Sequence, residues 1–474
     1  MKISMLSRAA LIAAFLCMFA TGCKYTAAPA DLLTKPSQTA DKQALMKAVE
    51  AARPAYSKLT LPLRDDGEGA IRLVDLNGDG TPEAIVSLYN EYNVPELVVF
   101  RMSSGVWRSW FIIQQPMARQ IDWIKIDDFD QNGKVELAIG WVGSFESPSL
   151  AEFYSFQSKP VRNEEGKLVL QPVDSIPYAY AEVGDVNGDG RLEIAIIQSD
   201  GSYQEAGLPS YTLNLYNWEG TELTLLQQLE LYDGVNMYDR MIIGRVSPEQ
   251  NGIVVEASMG AHAMYTAMYA WENRRLQLVY PKLAASAGPE DVVFTETPVM
   301  SEDVNGDGII ELMLPRPAPG YDDLPYAEMR WINEWMQWDG TDAFHKVLEE
   351  YSDYGYQIRF QIPGAWMGHY TVRAPDKGAS YAIAAFEYWN GERAYKAKLA
   401  DIYAIPLKKR EAFDAEWKSK GRSYSVLKIK DGLVYAVSFA EPPESMPEGD
   451  KAVFLNMRLE DGKVSELLRV MEDE

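Results

Sequence analysis

One acidic, glycine-rich loop recurs along the chain and constrains its fold more than any other feature. "DLNGDG" begins at residue 75, and "DVNGDG" begins at residues 185 and 303. A relative, "DFDQNG", begins at 128, and a reduced version, "SPEQNG", begins at 247. The starting positions 75, 128, 185, 247 and 303 lie 53, 57, 62 and 56 residues apart. A period of this length indicates a repeat architecture in which each unit is one supersecondary element.

Each unit also carries a regular set of apolar segments. The runs "EAIV", "ELAI", "EIAII" and "ELML" follow the four well-kept loops, and aromatic turns such as "YNWEG" (216–220) and "MQWDG" (336–340) come later in the unit. Short continuous apolar runs beside turns are typical of strands buried on both faces. We therefore predict four antiparallel strands per unit, A to D, with the acidic loop joining A to B. Such units are typical of propeller blades.

The predicted fold is mainly β, with a β-propeller of about five four-stranded blades over 66–350. Residues 41–52 have the pattern of one amphipathic helix, so the propeller with its N-terminal helix takes up 41–351. Residues 352–474 lack the loop but contain a hairpin (424–440) and a helical segment (407–421). We predict a small α+β C-terminal domain there. A degenerate sixth blade is the alternative, because Tyr388, Trp389, Asn390 and Gly391 repeat the aromatic-turn composition.

The loops have the chemistry of a calcium site. They place Asp at position 1, Asp or Asn at 3 and 5, Gly at 6 and Glu at 9, and the carbonyl of position 7 adds an oxygen. Such an all-oxygen cage suits Ca²⁺; Zn²⁺ prefers His or Cys, and Mg²⁺ is a weaker fit. An EF-hand is excluded because position 12 is apolar and a strand follows. The predicted ligands, for up to four ions, are Asp75, Asn77, Asp79, Thr81, Glu83, Asp128, Asp130, Asn132, Lys134, Glu136, Asp185, Asn187, Asp189, Arg191, Glu193, Asp303, Asn305, Asp307, Ile309 and Glu311.

Within a four-strand unit, this loop resembles the FG-GAP/VCBS-type repeat of integrin-α-like propellers. The resemblance covers 66–350 and implies Ca²⁺ in the A–B loops. The chain departs from the family pattern because it lacks a Phe-Gly-Gly-Ala-Pro segment, has Glu rather than Asp at position 9, and has lost the ligands of the fourth loop. The metal is expected to be structural, since Ca²⁺ bound to the native state stabilises it. Metal-regulated binding and metal-free solvated turns are the alternatives.

The N-terminus predicts export. Lys2 and Arg8 precede an apolar stretch (9–20), and "ATGC" ends at Cys23. This arrangement resembles the lipobox of a bacterial lipoprotein, and an ordinary secretory signal is the alternative. We therefore expect a signal peptide at 1–22, lipidated Cys23, a flexible tether over 23–40, and a membrane-anchored protein facing outside the cytoplasm. The only other cysteine lies in the signal, so no disulfide can form in the mature chain.

Charge and loop composition suggest where a partner binds. The net charge of −24 disfavours nucleic acid and anionic lipid head groups, so the membrane is expected to contact the protein only through the lipid anchor. The B–C loops open on the face opposite the calcium loops and are aromatic, which suits recognition of an envelope or extracellular protein or glycan. The alternative is that these aromatics pack their own loops. The candidate ligand-face residues are Tyr92, Phe145, Tyr203, His262, Tyr321 and Tyr326.

Catalytic motifs are missing from the sequence. Its three histidines, at 262, 345 and 369, lie in no zinc spacing and beside no nucleophile motif. The predicted function is therefore that of a non-catalytic binding, adhesion or scaffold protein of the bacterial envelope. Two alternatives stay open: a polysaccharide-acting envelope enzyme built on a propeller platform, and a structural component that docks a membrane complex through 352–474.

Overall fold

The computed structural model shows a mainly β protein built of several sheets. The predicted signal peptide, Cys23 and the predicted tether up to residue 39 lie outside the described residues. Among the described helices, none is both long and apolar enough to cross a bilayer. The described residues are 40–53, 56–144, 147–203, 208–260, 263–282, 295, 297–321, 324–391, 396–459 and 461–471.

Three consecutive sheets have four antiparallel strands in chain order, as predicted for units two to four. Sheet two contains β6 (Ala118–Asp127), β7 (Glu136–Gly143), β8 (Leu150–Ser155) and β11 (Asp174–Pro177). Sheet three contains β12 (Tyr180–Gly184), β13 (Glu193–Tyr203), β14 (Pro209–Glu219) and β15 (Glu222–Glu230). Sheet four contains β16 (Met237–Arg245), β17 (Asn251–Ser258), β18 (Met264–Glu272) and β19 (Arg275–Tyr280). Sheet four keeps this topology although its loop lacks the acidic residues of positions 1 and 9.

Sheets one and five are larger variants of the same unit. In sheet five an isolated bridge between Glu302 and Glu311 takes the place of strand A. Sheet one contains β1 (Lys58–Leu59), β2 (Ile71–Val74), β3 (Glu83–Tyr89), β4 (Pro95–Ser103), β5 (Val106–Gln114), β9 (Val161–Arg162) and β10 (Leu168–Val169). Sheet five contains β20 (Leu312–Pro317), β21 (Trp331–Trp338), β22 (Phe344–Asp353), β23 (Ile358–Gln361) and β29 (Leu468–Val470).

The C-terminal region forms a sixth sheet, and four α-helices occur among the described residues. The aromatic turn residues 388–391 lie at the end of β25, which pairs antiparallel with β26. Sheet six contains β24 (Tyr370–Arg373), β25 (Ala382–Trp389), β26 (Lys396–Pro406), β27 (Ser425–Lys430) and β28 (Leu433–Phe439). The helices are α1 (Ala40–Ala52), α2 (Arg410–Ser419), α3 (Glu448–Asn456) and α4 (Asp461–Leu467).

The predicted boundary between 351 and 352 falls inside β22. Beyond it, β29 pairs antiparallel with β23 and so returns the end of the chain to sheet five. One buried cluster contains Ile332 and Phe360 of sheet five, which lie before and after the predicted boundary. The same cluster contains Phe386 of sheet six and Phe454 of α3. The two sides of the predicted boundary therefore share one sheet and one core.

The sheets pack face to face in chain order, which explains why the B strands are apolar throughout. Successive residues of a strand point to opposite faces of its sheet. In β7, Ile139 is buried against Val99 of sheet one, whereas its neighbour Ala138 is buried with Ile196 of sheet three. Each B strand between two sheets therefore needs apolar side chains at every position.

The row of sheets is closed at each end by a helix. Leu45 and Val49 of α1 pack on Val86 of sheet one, and Trp417 of α2 packs on Tyr403 of sheet six. No core cluster of the described residues joins sheet one to sheet six. Across the described parts of the chain, the sheets thus form an open row, and no closed propeller ring is found.

The segment between α1 and β2 ties together the first three sheets. β1 pairs with β3 of sheet one, and the backbone N–H of Arg64 donates to the carbonyl of Asp122 in sheet two at 2.9 Å. The Arg64 guanidinium then donates to the carbonyl of Ala181 in sheet three, also at 2.9 Å. Residues 56–63 thus link neighbouring sheets at one end of the row.

Candidate metal centres

The four acidic loops, at 75–83, 128–136, 185–193 and 303–311, share one turn. In the first loop the carboxylate of Asp75 accepts hydrogen bonds from the backbone N–H groups of Gly78 and Gly80, both at 2.8 Å. Gly80 has a φ of 83°, a left-handed conformation that glycine adopts without strain. Asp185 and Asp303 accept the equivalent bonds in their loops, and Asp128 accepts the N–H groups of Asn132 at position 5 and Gly133 at position 6.

The position-5 side chain of each loop fixes the peptide of position 7. The side-chain oxygen accepts the position-7 N–H at 2.8 or 2.9 Å in every loop. These pairs are Asp79 with Thr81, Asn132 with Lys134, Asp189 with Arg191, and Asp307 with Ile309. The structure therefore brings positions 1, 5 and 7 into one compact turn in all four predicted sites.

The position-9 glutamates anchor the loops from inside the fold. Glu136 and Glu193 are fully buried, and each begins the B strand of its sheet. Their carboxylates accept the backbone N–H of position 2, from Phe129 at 3.2 Å and Val186 at 2.8 Å. The position-2 side chains are themselves buried in the core. Glu83 and Glu311 accept the same bond from Leu76 and Val304.

Burial makes these carboxylates costly to ionise without a cation. Desolvation raises the pKa of Glu136, Glu193 and Glu311 to about 7. The negative charges of two aspartates in the same loop raise each pKa further. The pKa of Glu83 is raised for the same reason. A divalent cation at the loop would supply the missing positive charge.

Loop two differs from the other three at position 3. Asn77, Asn187 and Asn305 donate their side-chain amide to the position-9 glutamate at 3.1, 2.6 and 3.1 Å. Loop two has Asp130 at this position, which cannot donate such a bond when ionised. One oxygen of Glu136, Oε1, is consequently buried without a hydrogen-bond partner.

The donor set of loop two fits a hard cation. Ligand oxygens of Asp128, Asp130 and Glu136 lie within 4.8 Å of one another. Three carboxylates and an unpartnered oxygen form the all-oxygen environment that Ca²⁺ prefers. In the other loops the amide of the position-3 asparagine occupies the corresponding glutamate oxygen. Loop two is therefore the strongest of the four predicted sites.

The reduced fourth loop is a turn held by its own side chains. The Ser247 hydroxyl hydrogen-bonds the Gln250 side chain and accepts the Gln250 N–H at 3.1 Å. Asn251 donates its side-chain amide to the carbonyl of Asp185 in loop three at 2.8 Å. This unit keeps the turn without the carboxylates of positions 1 and 9.

Neighbouring loops also contact one another across the sheets. Gln131 of loop two donates to the carbonyl of Gly190 in loop three at 2.6 Å, and Asp130 accepts the N–H of Gly220 at 2.9 Å. Gly220 lies in the C–D turn of sheet three. Loop two is thus joined to sheet three at two points, in addition to its place in sheet two.

The described candidate ligand-face residues, Tyr92, Tyr203, Tyr321 and Tyr326, belong to B–C connections or their borders, at the strand ends opposite the acidic loops. Tyr92 is 74% exposed. Tyr321 is partly buried and packs against the core shared by sheets five and six, so packing of its own loop accounts for it. Tyr326 contacts the ring of Trp331. Phe145 and His262, and the side chain of Tyr203, lie outside the described residues.

A pocket beside Tyr326 contains residues that the loop pattern did not single out. Arg330 and Trp331 lie at the end of the B–C connection of sheet five, just beyond the aromatic loop 316–328. Their signal in the sequence is the string "MRWINEW", which reads equally well as an amphipathic strand. Only the structure shows that both line a pocket.

Comparisons with known proteins add little to this description. No family model and no curated protein matches the sequence. Among solved structures, a rhamnogalacturonan lyase of Bacillus licheniformis is 12% identical, with a TM-score of 0.29 over 69% of this chain and 74% of the lyase. Likeness at that level supports no conclusion about activity.

Proposed function

We propose that this chain is a calcium-stabilised, non-catalytic binding or adhesion protein of the bacterial envelope. The observation that carries the calcium part is the buried, unpartnered oxygen of Glu136 beside two further carboxylates. Asp128, Asp130 and Glu136, with the carbonyl of Lys134, would hold the ion in loop two. The equivalent residues would hold weaker ions in the other three loops.

Calcium would act as a clamp on the row of sheets. In loop two it would neutralise carboxylates that cluster between β6 and β7, and Asp130 also accepts a bond from sheet three. Binding to the native state alone shifts the folding equilibrium towards that state. Bound calcium would also stabilise a chain in which no disulfide forms after residue 23, because both cysteines of the sequence precede residue 24.

The proposed recognition surface is the set of B–C connections. Antiparallel order in sheets two to four places these connections at the edge opposite the acidic loops, so a bound partner would leave the metal untouched. Exposed aromatic side chains such as Tyr92 and Tyr326 are suited to protein or glycan contacts. The partner is expected in the envelope or outside the cell, to which Cys23 would tether the chain by a lipid.

The propeller interpretation is part of this proposal. Four-stranded antiparallel units that pack face to face in chain order have the arrangement of blades. We infer that sheets one to five are blade-type units, and that sheet six, with its aromatic turn at 388–391, extends the row. The helices at the two ends would then replace ring closure as protection for the outer sheet faces.

A calcium titration tests the proposal. The protein is freed of metal with EDTA and melted at increasing Ca²⁺, with Mg²⁺ as the control ion. We expect Ca²⁺ to raise the melting temperature by several degrees at millimolar concentration, and Mg²⁺ to raise it much less. Equal melting curves with Ca²⁺ and EDTA, together with no metal in elemental analysis, would refute the calcium assignment.

A second measurement tests the binding surface. The purified chain is screened against envelope glycans and proteins, and the hits are repeated with Tyr92→Ala and with the acidic-loop variant Asp79→Ala. A B–C ligand should lose affinity with the first variant and keep it with the second. Loss of affinity with the acidic-loop variant alone, at a temperature where it is folded, would place recognition on the opposite face.

A further inference from the structure

The pocket at the B–C connection of sheet five has the size of one sugar ring. It is open to solvent, has a volume of about 250 Å³, and is lined by Tyr326, Arg330, Trp331 and Tyr354 among others. Pockets that enclose drug-sized molecules measure roughly 300–1,000 Å³. The pocket therefore suits one ring of a longer ligand that continues into solvent.

The Arg330 guanidinium is the pocket's distinctive polar group. It is partly buried and makes no hydrogen bond, ion pair or ring contact with any described residue. Its backbone is fixed, because the Arg330 carbonyl accepts the N–H of Ala318 at 2.6 Å. Of the three arginines in the strands of sheet five, Arg316 pairs with Glu334 at 2.5 Å and Arg359 pairs with Glu302, whereas Arg469 donates to the carbonyl of Val304 at 3.4 Å. Without a carboxylate partner among the described residues, the Arg330 guanidinium is available to an anionic ligand.

A planar guanidinium matches a carboxylate, to which it can donate two parallel hydrogen bonds. The partly enclosed position of Arg330 would strengthen such a pair relative to one in open water. Among the described lining residues Arg330 is the one cation, so the pocket matches one carboxylate rather than a run of them.

Aromatic rings flank this cation. The rings of Tyr326 and Trp331 lie 5.9 Å apart, with an angle of 49° between their planes. Tyr326 is 40% exposed and Tyr354 is 55% exposed. Exposed aromatic faces pack well against the C–H face of a pyranose, whereas an acidic peptide would bring several charges to a wall with one cation.

We propose that this pocket binds a hexuronic acid residue of an acidic polysaccharide, with the carboxylate on Arg330 and the ring against Tyr326 and Trp331. This assignment rests on the proposed function, because it names the ligand class for one part of the B–C surface. It requires no catalysis and no metal at the pocket.

The test measures affinity of the full chain by calorimetry in calcium buffer. The probes are a galacturonate trisaccharide, the same trisaccharide with its carboxyl groups reduced to alcohols, and an acidic peptide of equal charge. The variants are Arg330→Gln and Tyr326→Ala, and Arg101→Gln is the matched control, since Arg101 lies 4.7 Å from the Trp110 ring outside the pocket. Circular dichroism checks that every variant is folded.

We expect the galacturonate to bind and the reduced trisaccharide to bind roughly tenfold to a hundredfold more weakly, which is the range expected for hydrogen bonds to a charged group. Arg330→Gln should cause a similar loss, Tyr326→Ala a smaller one, and Arg101→Gln none. Equal binding of the reduced sugar, full affinity in Arg330→Gln, or binding of the peptide alone would each overturn the assignment.

Failure here is distinguishable from failure of the proposed function. If galacturonate does not bind but another envelope glycan or protein binds and is sensitive to Tyr92→Ala, the pocket assignment is wrong and the binding surface stands. If no ligand in the wider screen responds to any B–C variant, the proposed binding function is wrong as well.

Discussion

Replacing Glu136 by glutamine tests the calcium clamp most sharply, because the expected effect changes sign with the metal. Glu136 is fully buried and its pKa is raised to about 7 from an ordinary value of 4.5. In metal-free protein above pH 7, both the folded and unfolded states carry the charge, and the folded state bears the desolvation cost. Glutamine keeps the shape without that charge, and its amide can donate to Asp130.

The magnitudes follow from the pKa difference and from mass action. A pKa of about 7 instead of 4.5 corresponds to at most about 3 kcal/mol, so we expect glutamine to stabilise the metal-free fold by about 1 to 3 kcal/mol. Calcium at about 2 mM, with a Kd of about 10 to 100 µM, stabilises the wild-type loop by about 2 to 3 kcal/mol. Most of this gain should disappear in the variant.

The assay is urea unfolding at pH 8, followed by tryptophan fluorescence, in EDTA and in Ca²⁺. Glu136→Gln should unfold at higher urea than wild type in EDTA and at similar or lower urea in Ca²⁺. Glu249→Gln, at an exposed position of the reduced fourth loop, is the matched control and should change neither curve. A variant that retains the whole calcium effect would show that Glu136 is no ligand. If Glu136→Gln is instead less stable than wild type in EDTA, the wild-type Glu136 carboxylate must have a favourable partner besides the Phe129 N–H.

Four further predictions follow from single contacts. Asp130→Asn gives loop two the position-3 amide of the other loops, so calcium affinity measured by calorimetry should fall about tenfold; unchanged affinity would mean that Asp130 is no ligand. Metal-free protein should lose stability as pH rises from about 4.5 to 7, because raised pKa values near 7 let the folded state keep protons that the unfolded state has lost; a flat pH profile in chelator would contradict this. Arg64→Leu should cost about 1 to 3 kcal/mol in urea unfolding, since it removes the bond to Ala181, and a neutral result would show that the link between sheets is dispensable. Cys23→Ser should move the protein from the detergent phase to the aqueous phase in Triton X-114 partitioning, and an unchanged partition would refute lipidation.

Local features of the sequence predicted the repeat unit well. The apolar run after each acidic loop forms a B strand, and the loops at 75, 128, 185 and 303 fold into one shared turn with Glu at the strand start. These features depend on neighbouring residues: glycine allows the left-handed turn, and burial on two faces demands a continuous apolar strand. The same acidic turn and apolar B strand then recur every 53 to 62 residues.

Long-range pairing could not be predicted in the same way. β29 consists of three residues, Leu468–Val470, and its partner β23 lies over a hundred residues earlier. Such a short strand has no periodicity of its own, and its pairing depends on the core that Phe454 and Val464 share with sheet five. The packing of α1 on sheet one and of α2 on sheet six also could not be predicted from the sequence, because any amphipathic helix could cover any apolar face.

The reduced fourth loop and loop two form the same turn but differ in whether their polar side chains find hydrogen-bond partners within the protein. In the fourth loop, Ser247 and Gln250 hydrogen-bond each other, and Asn251 bonds loop three, so the turn needs no cation. In loop two, Asp130 replaces the asparagine that elsewhere partners the buried glutamate, and Glu136 is left with an oxygen that no protein donor reaches. Position 9 of the fourth loop is Val255, so this loop has no buried position-9 carboxylate that would require a cation. By this reasoning loop two has the greatest need of an ion, and loops one, three and five lie between the two extremes.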